Sequence, residues 1–264
     1  MNIEAVIQIS TPEPPPSQTS DRKEEAKMSS NDATAVLVHG AWADESSWDK
    51  VVVLLRKNGN KTVTVRLPLS SLADDTAALD KALERVDGPV VLVGHAYAGA
   101  VIASTRNAKV RALVYIAGLA PDQGETVAEV FNRYGHDDKA PTLAPDSDGW
   151  IWLPSDAFRI AFAQHATPQE QAALAAAQLP ISPACITVAV AQPLWKSVPT
   201  WYLVAEHDHM IPEKTQRFMA ERMQARVSSY PVDHVPSVTA AERVERIIVD
   251  ALKQGGAHHT PVSE

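Results

Sequence analysis

Residues 90–104 read VVLVGHAYAGAVIAS, from Val90 to Ser104. Val90–Val93 is apolar on both faces, as a strand covered on both sides of a sheet requires. The small and aliphatic residues after Gly99 suit a helix lying close against it. Gly94-His95-Ala96-Tyr97-Ala98-Gly99 therefore spans a tight strand-to-helix turn, the context of the G-x-S-x-G motif. Such a turn strains its central residue and pushes that side chain up from the sheet, while small flanking residues let the two backbones nearly touch. Two positions depart from the motif. Ala98 stands for the second glycine, a mild steric change, and Ala96 stands where the serine belongs. A methyl group cannot attack a carbonyl. Taken alone, the stretch reads as readily as an ordinary Gly-rich turn.

Outward from this turn, apolar runs alternate with helical patterns. Thr34–Val38, Thr62–Arg66, Val110–Ile116, Thr200–Val204 and Arg226–Tyr230 read as further strands. Ser46-Ser47 is expected to cap a helix reaching about Lys57, and helices are expected over Asp74–Val86, Glu213–Met223 and Ser237–Leu252. This alternation predicts an α/β fold with a mostly parallel, doubly wound sheet of about six strands. From about 121 to 195 the rhythm gives way to an Ala-rich, Pro-punctuated stretch with several aromatics, which reads as a small helical cap inserted in a domain over 34–254. Residues 1–33, with Pro12, Pro14, Pro15 and Pro16 among polar residues, read as a disordered tail, and 255–264 as a second tail.

The chain has 264 residues, a net charge of −8 and 45% apolar residues. That content fills one sizeable core. The acidic balance argues against a nucleic-acid or membrane partner, since both favour clustered Lys and Arg. The lone Cys185 excludes an internal disulfide and a multi-cysteine zinc site, and reads as a small buried hydrophobe. Ala5–Ile9, interrupted by Gln8, lacks the basic start of a secretion signal, so a cytoplasmic location is expected. No G-x-G-x-x-G or P-loop occurs, and no cofactor is expected. The expected partner is a small-molecule substrate; oligomeric state is not legible.

Two downstream loops supply the partners a catalytic turn would need. The strand ending at Val204 leads into Glu206-His207-Asp208-His209, and the strand ending at Tyr230 leads into Asp233-His234. Asp208 and His234 thus lie past the carboxyl ends of strands, where ligands bind in open α/β sheets. Asp208 can set the tautomer of His234, and His234 can move protons. After the first strand, His39-Gly40-Ala41-Trp42 allows the Ala41 N–H to face the same edge and, with the Tyr97 N–H, to form an oxyanion hole. His39 and His95 read as structural histidines. The run from Glu206 to His209 has metal-ligand residue types, but its place in a loop after a strand favours the acid role, and no metal is expected.

Taken together, VLVHGAWADESSW, PLSSLADD, GPVVLVGHAYAGAVI, LVYIAGLAPDQGE, WYLVAEHDHMIP and the Asp233-His234 corner resemble the α/β-hydrolase superfamily, in its compact esterase-like branch related to plant methylesterases and hydroxynitrile lyases. The resemblance implies that position 96 is the nucleophile site, Asp208 the acid, His234 the base, and Ala41 and Tyr97 the oxyanion donors. Cap and loop aromatics, Trp42, Trp152, Phe162 and Trp195, are expected to line a substrate pocket. Three readings of Ala96 stand open. The leading one is a carboxylic-ester hydrolase acting on a small carbonyl substrate with an apolar body, its serine replaced here. The second is a native serine-less enzyme using His234, Asp208 and the oxyanion hole as a lyase or decarboxylase; the plant methylketone synthases resemble it, with Ala at this position and β-keto acids as substrates. The third is a non-catalytic protein that binds a small ligand.

Overall fold

The computed structural model describes residues 33–255; the two sequence-predicted tails lie outside them except for Ala33 and Gly255. Six strands form one parallel sheet: β1 (Thr34–Val38), β2 (Lys61–Val65), β3 (Val90–His95), β4 (Val110–Ile116), β5 (Thr200–Ala205) and β6 (Arg226–Tyr230), in the order β2-β1-β3-β4-β5-β6. The registers are parallel throughout, with Val38 beside Gly94 and His95 beside Ile116. The sheet is doubly wound, as expected.

Period-two alternation builds two cores. Val36, Val38, Leu92, Tyr115 and Val204 face one side, while Leu37, Val93, Val114 and Leu203 face the other. Against the second face pack α1 (Asp49–Lys57) and α8 (Ala241–Gly255), through Val51, Leu55, Val244 and Ile248. Against the first pack α2 (Leu72–Glu84), α3 (Ala98–Ser104) and α6 (Glu213–Arg222), through Leu79, Leu83, Val101 and Met219. Central strands buried on both faces read as continuous apolar runs, which is why they were legible.

Helix boundaries depart from expectation where capping decides them. Asp44, rather than Ser46 or Ser47, starts the first helical segment: its carboxylate accepts from Ser46 N at 2.9 Å and caps a short 3-10 turn, Glu45–Trp48, that runs into α1. Ser71 caps α2 through Asp74 N at 3.0 Å, so this helix begins at Leu72. The helix expected over Ser237–Leu252 is two: α7 (Pro236–Thr239) and α8, separated at Ala240, whose φ of −148° is non-helical.

Between β4 and β5 lie α4 (Val127–Asn132), a single π-type turn at Phe158–Phe162, and α5 (Pro168–Ala177). Thr126 with Glu129, and Thr167 with Glu170, close capping boxes on α4 and α5. Phe158, Phe162, Ile181 and Cys185 from this segment join the first core, over α2 and α3.

The elbow depends on backbone contact. A Cβ at Gly94 would lie 2.8 Å from the Ala98 carbonyl oxygen, and one at Gly99 would overlap the Leu119 carbonyl oxygen. Gly99→Ala is therefore expected to cost about 2 kcal/mol or more, read as a fall of about 5 °C or more in Tm. An unchanged Tm would show that the elbow can relax.

Candidate active site

Ala96 sits at the end of β3 with φ of 49°, in the left-handed region that a non-glycine residue adopts only under constraint. Three hydrogen bonds supply the constraint: Ala96 N donates to Ile116 O at 3.2 Å, and Ala96 O accepts from Gly99 N at 3.0 Å and Leu119 N at 2.8 Å. The loop after β1 closes on the same point. A Cβ on Gly40 would lie 2.8 Å from His95 O and 3.1 Å from Ala96 Cβ, so only glycine fits. Among the described residues the amide N–H groups of Ala41 and Tyr97 donate to no backbone carbonyl, and both residues border the cavity beside Ala96. Two free donors there suit a developing oxyanion.

Asp208 and His234, from the loops after β5 and β6, are both buried, and His234 Nδ1 lies 2.8 Å from Asp208 Oδ2. Because the carboxylate accepts, Nδ1 carries the proton and Nε2 offers its lone pair. Asp208 is held in turn: Oδ1 accepts from Met210 N at 2.7 Å and Ile211 N at 2.9 Å, and Oδ2 accepts from Gln216 Nε2 at 3.0 Å. Gln216, buried on α6, also accepts from Ala205 N at 2.9 Å and donates to Ile211 O at 2.7 Å. It clamps the acid loop to the end of β5. Sequence reasoning missed this residue; its signal was a glutamine on the same apolar stripe as Met219 and Ala220.

His39 and His95 are structural. His39 Nε2 accepts from Leu67 N at 3.0 Å, so its Nδ1 donates to Gly40 O at 2.8 Å. Burial holds its pKa below the ordinary value. His95 Nε2 donates to the His234 carbonyl at 2.7 Å, tying the elbow strand to the histidine loop. Burial, reinforced by the neighbouring His234, pushes the His95 pKa down to about 3. Asp75, on α2, receives the Tyr97 hydroxyl at 2.7 Å, Leu69 N at 2.7 Å and the Cys185 thiol at 3.6 Å. Burial raises its carboxyl pKa and drives the Cys185 thiol up to about 12, so that sulfur is protonated and inert.

A cavity of about 480 Å³ opens above the elbow, lined by Ala41, Trp42, Ala96, Tyr97 and His234 together with apolar cap residues. Trp42 lines it as expected, its indole donating to Ile151 O at 3.0 Å. Phe162 does not border the space but packs at a tilt against His234, ring centres 5.1 Å apart. Trp152 and Trp195 are elsewhere. Ile151 pairs with Ile181 in an isolated bridge and points inward, so its neighbour Trp152 points out, 47% exposed, with its indole on Asp146 at 3.0 Å. Trp195 bonds Pro121 O at 3.3 Å and lies by Arg222, at a separate surface hollow. His165 donates its backbone N–H to Asp233 Oδ2 at 2.9 Å, and its ring meets His207 rather than the cavity. His209 pairs with Asp137 at 3.1 Å. Among the described residues no three His, Cys, Asp or Glu side chains converge as metal ligands.

The model of the alpha/beta hydrolase family matches residues 35–247. The chain belongs to the alpha/beta hydrolase family. Methylesterase 8 of Arabidopsis thaliana is 25% identical over 235 residues, 76% of this chain and 82% of its own length. A carbendazim hydrolyzing esterase from Nocardioides sp. is 30% identical over 110 residues, covering 36% of this chain and 46% of the relative, so that match spans about half the esterase. Among solved structures, polyneuridine aldehyde esterase superposes with a TM-score of 0.71 at 19% identity, over 83% of this chain and 98% of its own. A variant of tomato Methylketone Synthase I complexed with beta-ketoheptanoate gives 0.71 at 16% identity, over 84% and 98%. This alpha/beta hydrolase therefore has esterase-like relatives, and its fold is theirs.

The neutral histidines set an acid limit on stability. Between its ordinary value of 6.5 and about 3, His95 takes up a proton in the unfolded chain but not in the folded one. The stabilisation from His95 is therefore complete above about pH 7 and falls as pH drops, by about 2 kcal/mol at about pH 5. His39 acts in the same direction. The raised carboxyls of Asp75 and Asp233 act oppositely, losing stabilisation as pH rises above the ordinary carboxylate range. His95→Gln, which keeps a donor for the His234 carbonyl, is expected to flatten the drop in urea midpoint between about pH 7.5 and about pH 5. An identical drop in both proteins would refute the assignment to His95.

Proposed function

We propose that this chain acts on a small carbonyl compound with an apolar body, without a covalent intermediate, and that decarboxylation of a β-keto acid is the reaction its site suits best. One observation carries the reading: a methyl group stands at the apex of a constrained elbow, beside an intact, buried His234–Asp208 pair. Covalent catalysis needs a lone pair at that apex. Neither the Tyr97 hydroxyl nor the Cys185 thiol takes its place, since both are turned to Asp75. What the site retains is a proton carrier and two oxyanion donors.

A β-keto acid requires no nucleophile. Its bond between the α-carbon and the carboxylate breaks, carbon dioxide leaves, and the electron pair moves onto the ketone oxygen as an enolate. The Ala41 and Tyr97 amides would stabilise that oxygen, and His234, protonated on Nε2 from solvent, would return a proton to carbon to give a ketone. The cavity lining supports this choice. It holds no Lys, Arg, Asp or Glu, so the substrate carboxylate gains no ion pair in the ground state, while the charge dispersed in the transition state meets fixed donors. The beta-ketoheptanoate bound to the tomato relative fits the same chemistry.

The esterase relatives favour a second reading, in which the frame serves ester hydrolysis and a serine belongs at position 96. One set of assays separates the two. The chain is expected to release carbon dioxide from a medium-chain β-keto acid above the spontaneous rate, and His234→Ala to lower that rate about a hundredfold. Ala96→Ser is expected to gain a burst of leaving group from aryl esters. No carbon dioxide release, with ester turnover by Ala96→Ser, would replace decarboxylation by hydrolysis. Ligand binding without turnover in either protein would leave a binding protein.

A further inference from the structure

The reactive centre accounts for the polar groups at the sheet edge but not for those on the cap wall of the same cavity. Trp42 and Tyr97 have polar atoms, yet both are turned away, to Ile151 O and to Asp75. Apart from His234, the polar residues bordering the space are Asn132, His136 and Thr142, all three exposed to solvent as well. All three belong to α4 and the loop that follows it, set among Phe131, Pro141 and Leu143, which line the same wall.

Their hydrogen bonds fix what this wall offers. Asn132 Nδ2 donates to Ala128 O at 2.7 Å, which makes Oδ1 the amide carbonyl. His136 Nε2 lies 2.7 Å from that oxygen and must donate to it. With Nε2 engaged, Nδ1 is the ring nitrogen left open to a ligand, and the ring is steadied against Phe131 at 4.9 Å. The Thr142 hydroxyl, farther along the loop, has no hydrogen-bond partner among the described residues and can donate or accept.

We propose that Asn132, His136 and Thr142 form a distal subsite that selects substrates carrying a hydroxyl group on the apolar body, away from the reacting carbonyl. A hydroxyl group both donates and accepts, so it suits an acceptor at His136 Nδ1 and a hydroxyl at Thr142. An ammonium group would need a carboxylate or several acceptors, and a carboxylate would need a cation; the lining supplies neither. Asn132 is a positioning residue, since it acts by fixing the His136 tautomer. The inference rests on the proposed small-carbonyl reading of the site and refines its substrate class.

Binding of product-like probes tests it without depending on turnover. A linear methyl ketone, its terminally hydroxylated counterpart and its terminal carboxylate are titrated against the full chain by calorimetry. The hydroxylated ketone is expected to bind about threefold to tenfold more tightly than the plain one. His136→Phe is expected to erase that preference, the hydroxylated and plain ketones then binding alike. Asn132→Ala should weaken the preference without abolishing the fold, read by an unchanged Tm. Equal binding of the plain and hydroxylated ketones, or tightest binding of the carboxylate, would overturn the proposal. Binding of the hydroxylated ketone with no carbon dioxide release from any β-keto acid would leave the subsite standing and remove the proposed reaction instead.

Discussion

The φ of 49° at Ala96 is a constraint that several elements share in maintaining. A left-handed alanine costs about 1–2 kcal/mol, and it persists because β4, α3 and the turn after β4 each hydrogen-bond its backbone. Those bonds demand backbone contact, so Gly94, Gly99 and Gly40 follow from them. The turn is thus intact although the side chain it lifts toward the cavity is a methyl. A strained turn kept around an unreactive side chain is a reason to look for its use in the amides it orients.

Around that turn the polar groups form a connected set. His95 links the elbow strand to the backbone of His234, His234 pairs with Asp208, and Gln216 fastens Asp208 to β5 and its own helix. On the other side Asp75 ties Tyr97 to the loop at Leu69 and to Cys185 in the cap segment. Buried polar groups persist where each donor meets an acceptor. His95 Nδ1 is an exception, buried without a partner, in keeping with an imidazole that burial keeps neutral.

The strands and the candidate pair were legible because burial on both faces writes β1, β3, β4 and β5 as largely apolar runs, and because loops at the carboxyl ends of parallel strands converge by topology. The cap aromatics were not. Trp152 and Trp195 have the composition of a pocket wall, yet one residue of register turns Trp152 outward, and a bond to Pro121 fixes Trp195 at another surface. Helix starts differ for a local reason: the Asp44 and Ser71 side chains accept the backbone N–H groups of Ser46 and Asp74. The break at Ala240 has no matching signal, because apolar periodicity continues through it.

Sequence by itself determined the layered α/β architecture, the strand-to-helix turn at Ala96 and the order in which Asp208 and His234 follow it, since periodicity and loop position are one-dimensional properties of the chain. Only the tertiary structure decided that Gln216 holds Asp208, that Asp75 gathers Tyr97 and Cys185, and that Asn132 and His136 border the cavity above Ala96. Each of those relations joins residues through side-chain direction and hydrogen-bond geometry, which the spacing of letters along a chain does not encode.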